Sequence, residues 1–82
     1  MGSGCGWERI ERFDTFERYN SVKAAVSEQV SAGLAKETRV LKPYSGLKTL
    51  DERWFRCSAD GRIWRLIAPD PPFPGIFEPI DQ

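Results

Sequence analysis

The sequence predicts a small α+β domain: one N-terminal helix packed on an antiparallel sheet of about three strands, with a Pro-rich C-terminal tail. Three observations carry this reading. Apolar residues recur at helical spacing between Phe16 and Val30. Asp60-Gly61 separates two β-rich runs, as a two-residue hairpin turn does. Five of the six prolines fall in residues 69–82, where regular structure is disfavoured.

Residues 1–6 are glycine-rich and read as a flexible leader. From Trp7, apolar residues appear at every third position as far as Val22, a stripe that drifts around a helix and cannot stay on one face. Asp14 breaks it as a candidate N-cap, with Glu17 completing a box-like pair. The helix then runs from about Thr15 to Ala32. Phe16, Tyr19, Val22, Val26 and Val30 lie within about 120° of one another, and Gly33 forms a left-handed cap. Residues 7–13 become a separate element, an edge strand or an extended lead-in.

Lys36 to Lys42 reads as a strand and Pro43 to Asp51 as a loop. Glu52 to Ser58 and Arg62 to Ala68 are the arms of a hairpin. A two-residue turn at Asp60-Gly61 pairs Cys57 with Trp64, Arg56 with Arg65 and Phe55 with Leu66. One face then collects Phe55, Cys57, Trp64 and Leu66 and should meet the helix. The other collects Trp54, Arg56, Ser58, Ile63, Arg65 and Ile67. The tail combines polyproline-like or extended coil with Phe73, Ile76, Phe77 and Ile80, which are apolar enough to dock on the domain. The organisation is therefore leader 1–6, domain 7–68 and docked tail 69–82.

Composition restricts the chemistry. The 82 residues carry 12 basic and 12 acidic side chains and no histidine. The usual general base and the commonest metal ligand are missing, and two cysteines cannot alone form a four-ligand zinc site. The carboxylates have ordinary roles as cap, junction and turn residues. No enzymatic activity, metal or cofactor is expected. Cys5 and Cys57 read as two free thiols in a reducing cytosol; a bridge between them requires the leader to fold back. No window approaches the roughly 20 apolar residues of a membrane span, so the expected setting is cytoplasmic, without a membrane partner.

Charge is segregated. Residues 36–65 hold 8 basic and 4 acidic side chains, interleaved with aromatics in Arg53-Trp54-Phe55-Arg56 and Arg62-Ile63-Trp64-Arg65. Arg, Trp and Tyr are the residue types of interface hot spots. The expected function is that of a non-enzymatic protein-binding module, of the inhibitory or toxin-neutralising (immunity-like) kind by size and composition. Its expected site is Trp54, Arg56, Ile63 and Arg65. The opposed Arg56 and Arg65 would need an anionic neighbour, supplied by Asp70, Glu78 or Asp81 of the tail or by the partner. The alternative is a nucleic-acid binder using the same basic-aromatic hairpin. Helix, strand and hairpin together resemble part of a double-stranded-RNA-binding domain, but a Pro-rich tail stands where its second helix belongs.

Overall fold

The computed structural model describes residues 5–46 and 50–80. The leader's first four residues, loop positions 47–49 and Asp81 lie outside the described residues. The elements are helix α1 (Phe16–Ser31), strand β1 (Ala35–Thr38), a short 3-10 turn at Tyr44–Gly46, and strands β2 (Glu52–Cys57), β3 (Ile63–Ile67) and β4 (Ile76–Pro79). The four strands form one antiparallel sheet in the order β1-β2-β3-β4. The class is α+β, with four strands rather than about three.

The helix cap falls one residue later than expected. Thr15, extended at φ −140°, accepts the Arg18 N–H through its hydroxyl at 3.1 Å. Thr15, not Asp14, is the N-cap, so Glu17 falls one position short of a capping box. Phe16 is then the first helical residue and is 57% exposed, outside the buried stripe of Tyr19 and Val26. The C-terminal end follows the expectation. Gly33 sits at φ +80°, its N–H bonds the Val30 carbonyl and that of Leu34 bonds Gln29, which together make a Schellman closure.

The hairpin turn is longer than two residues. Cys57 N–H bonds the Arg62 carbonyl, and Gly61 N–H returns to the Cys57 carbonyl. Ser58–Gly61 therefore forms the loop, with Asp60 Oδ1 accepting the Arg62 N–H in an Asx-type closure. The register shifts by two relative to expectation: Phe55 faces Trp64, Trp54 faces Arg65 and Arg56 faces Ile63. Because side chains alternate with period two, a two-residue shift preserves both faces. Phe55, Trp64 and Leu66 do meet the helix, in a core with Phe13, Tyr19, Val26, Ala68 and Phe77. Arg56 and Arg65 are not opposed. Each strand is also shorter than expected: β1 ends at Thr38 rather than Lys42, and Ser58, Arg62 and Ala68 lie outside the hairpin arms.

The Pro-rich tail is the largest correction. It is neither wrapped coil nor polyproline helix over its whole length, because Ile76–Pro79 is the fourth strand. Asp70 and Phe73 exchange both backbone hydrogen bonds around a cis Pro71–Pro72 peptide, and this turn reverses the chain after β3. Gly75 completes the reversal at φ +81°. A Cβ there would stand 2.8 Å from the Ile67 carbonyl and 2.9 Å from Pro69 N and the Phe13 ring. In β4, Phe77 turns its N–H and C=O away from β3, and Ile10 takes both, at 2.9 and 2.8 Å. Residues 7–13 are thus an extended lead-in, tied by the Ile10–Phe77 bridge and by the Phe13 N–H, which bonds the Pro74 carbonyl at 3.2 Å. Pro79, at the next outward position, has no N–H to leave unpaired, as suits a proline in an edge strand.

The cysteines are joined. Cys5 and Cys57 form a disulfide with Cα atoms 6.0 Å apart, and no free thiol remains. The leader folds back because Gln29 on α1 donates to the Cys5 carbonyl at 2.9 Å and accepts the Trp7 indole N–H. Trp7 then stands edge-on to Trp64 and Phe77, at 5.8 and 5.7 Å between ring centroids.

Gly75→Ala should cost roughly 2–4 kcal/mol, combining left-handed strain with overpacking against backbone atoms; urea denaturation checks it. Cys5→Ser should lower stability by about 2–4 kcal/mol, as expected for releasing a cross-link that closes a long loop. Reductant should lower the wild-type midpoint to a similar degree and leave that of the variant unchanged.

Candidate binding surface

The sheet face turned away from α1 carries the four residues expected to bind a partner. Alternation along β2 and β3 does place Trp54, Arg56, Ile63 and Arg65 on one face. That face is largely covered. Trp54 is 3% exposed and Ile63 8%, and Ile67 and Ile76 are buried beside them. The segment between β1 and β2 crosses the sheet and lays the Tyr44 ring over Arg65, with the guanidinium carbon 5.0 Å from the ring centroid. Phe73 from the proline turn packs against Tyr44, 5.7 Å between ring centroids.

Arg65 is the centre of this layer. Its Nε lies 2.9 Å from Glu52 Oε2 and its Nη1 donates to Glu78 Oε2 at 3.0 Å. Glu52 is itself almost fully enclosed, with 4% of its side chain exposed. Its oxygens also accept the Tyr44 N–H at 2.8 Å and the Trp54 indole N–H at 2.7 Å. Arg9 reaches Glu78 from the lead-in at 3.4 Å. The chain Glu52–Arg65–Glu78–Arg9 alternates in sign and sums to zero. Of the three tail carboxylates considered as internal counter-charges, Glu78 pairs with Arg65.

Arg56 differs from its three companions. It is exposed, and in the β1–β2 register it faces Lys36, which is exposed too. Among the described residues neither has a carboxylate within ion-pair distance; the ion pairs found there involve Arg9, Arg53 and Arg65. The like-charge pair that an opposed Arg56 and Arg65 would have made therefore exists with a different member. Like charges directly across strands are mildly destabilising. Sequence reasoning missed Lys36 because its strand ran from Lys36 to Lys42 with no register to β2.

Nearby groups are ordinary. Glu37 pairs with Arg53 at 3.6 Å on the helix side of the sheet. Burial pushes the Tyr19 phenol above its usual value, the Asp51 charge adds to the shift and Arg53 opposes it. A shallow apolar cleft of about 220 Å³ lies between the lead-in and α1, lined by Trp7, Ile10, Val22, Val26 and Phe77 among others. Among the described residues no group of three His, Cys, Asp or Glu side chains could hold a metal ion. None of their helices is long and apolar enough to cross a membrane. Comparison with protein-family models, curated proteins and solved structures returns no match.

Arg65→Ala should cost about 3 kcal/mol, because it leaves the Glu52 carboxylate enclosed and unpaired. Arg65→Lys should recover only part of this, since an ammonium cannot span two carboxylates as a planar fork does. Arg56→Ala should leave stability within about 0.5 kcal/mol of wild type, as for an ordinary surface change. Denaturant midpoints of the three variants check the ordering.

Proposed function

We propose that this chain is a non-catalytic protein-binding module, of the inhibitory or toxin-neutralising accessory kind, whose contact surface is centred on Arg56 and Lys36. The observation that carries this reading is an exposed, unneutralised basic pair on a sheet whose other cations are matched by carboxylates. Of the four residues expected at the site, Arg56 faces a partner directly. Trp54, Ile63 and Arg65 hold the sheet beneath it. Arginine at such a position offers a forked donor set to a partner carboxylate.

A nucleic-acid reading draws on the same cations, together with exposed Arg39 and Lys42. It is disfavoured because Trp54, Phe55 and Trp64, the aromatics that would stack on bases, are 3–4% exposed. The compartment follows from the cysteines. Cytosolic placement was expected from free thiols, whereas a Cys5–Cys57 disulfide suits an oxidising environment.

Affinity capture from nuclease-treated cell extract tests the reading. Wild-type protein should retain a protein partner, and the Lys36→Glu/Arg56→Glu double variant should lose it while keeping the wild-type denaturation midpoint. Retention should weaken only moderately with salt. A steep loss of binding with salt, together with recovered nucleic acid when nuclease is omitted, would favour the alternative. Capture that is indifferent to the double substitution would defeat the proposal.

A further inference from the structure

The two edges of the sheet are treated differently. At β4 the outward groups of Phe77 are taken by Ile10, and Pro79 offers no N–H. On the side of β1 away from β2 no described strand lies alongside. The β1–β2 ladder fixes which of its groups are unused. Ser58 N–H bonds the Leu34 carbonyl, so in an antiparallel ladder Lys36 and Thr38 are the residues that bond β2. The N–H and C=O groups of Ala35 and Glu37 therefore point away from β2; Ala35 is covered at 4% exposure, and Glu37 is the exposed one of the two. Leu34 and Leu41, just beyond the two ends of this strand, are 56% and 73% exposed.

We propose that β1 is a docking edge that accepts an extended acidic segment of another protein as a fifth strand. The proposal rests on the binding-module reading and names the mode of contact. An added strand would bond the N–H and C=O of Glu37 through its backbone, which supplies affinity without sequence demands. Its side chains opposite Lys36 would lie on the face shared with Arg56. A carboxylate there would neutralise the like-charge pair, and exposed Arg39 and Lys42 extend the positive field along the chain. The acid on the strand itself, Glu37, is turned to the opposite face and engaged by Arg53. Charge complementarity thus selects an acidic occupant. Pairing with a second copy is opposed, since a two-fold contact centred on Lys36 sets Lys36 against itself.

A peptide of about eight residues alternating glutamate and valine is the probe. NMR titration should move the Glu37 amide and its neighbours on β1 before any on α1 or β4. Glu37→Pro removes an outward N–H and no ladder bond, and should weaken binding at least about tenfold, whereas Glu37→Ala should not. Should Glu37→Pro fail to fold, the same peptide N-methylated at alternate residues should show an equal loss against wild-type protein. Unmoved edge amides, equal binding of the lysine-valine counterpart, or the same shifts arising from self-association without peptide would each overturn the proposal. In the capture experiment, a partner lost with Lys36→Glu/Arg56→Glu but kept with Glu37→Pro overturns edge docking and leaves the binding-module reading standing. A partner kept with both variants overturns the two together.

Discussion

The guanidinium of Arg65 is the point on which the non-helical side of this domain depends. It is held by carboxylates from β2 and β4 and covered by a ring from the β1–β2 segment. Through Glu78 it also reaches the lead-in at Arg9. A sheet with apolar residues on both faces needs two covering layers, and the described residues form one α-helix. Irregular segments must supply the second layer, and their backbone groups need partners once water is displaced. Glu52 meets part of that need by accepting the Tyr44 N–H. An enclosed ion pair is seldom a large net source of stability. What this one does is fix which loop lies over which strand.

The helical side is governed by different physics. Trp7, Trp64 and Phe77 pack with tilted and edge-on rings around the apolar stripe of α1, and burial of large aromatic surface is the driving term. The layer beneath the helix is apolar, and the Glu37–Arg53 pair on that side is half-exposed and outside it. The two halves meet in β2, whose alternating residues address the helix through Phe55 and Cys57 and the loop layer through Glu52 and Trp54. A small domain that hides only about 60% of its unfolded surface gains from using both faces of one sheet.

Much of this was legible in the residues because it depends on local periodicity. The helix, its Gly33 end, both hairpin arms and the membership of each sheet face follow from spacing and turn chemistry. The missed features are those decided by distant partners. Thr15 and Asp14 are both acceptable caps by residue type, and Thr15 is the one that accepts the Arg18 N–H. Asp60-Gly61 suits a tight turn, yet the Asp60 carboxylate closes a longer loop and moves every pair by two. Ile76–Pro79 looks unlike a strand until Ile10 covers its outer edge and Pro79 falls at a position needing no donor. Of the site residues, Arg56 is exposed as expected. Trp54 and Ile63 are buried, and the route that brings Tyr44 over Arg65 on the same face is one no local pattern encodes.

The disulfide has a topological consequence. Cys5 lies at the start of the described chain and Cys57 at the end of β2, so the covalent ring they close contains α1, β1, β2 and the segment that crosses the sheet. β3 and β4 hang outside it. One backbone cut anywhere inside the ring, for instance in the exposed stretch around Leu41, leaves a single covalent molecule with an extra pair of termini. A cut in the Ser58–Gly61 loop instead separates β3 and β4 as a fragment held by non-covalent contacts alone: sheet pairing, the aromatic core and the Arg65 ion pairs. Exposed surface in the first region can therefore be nicked without dissociation, and integrity against proteolysis rests on the short loop Ser58–Gly61 and the proline turn.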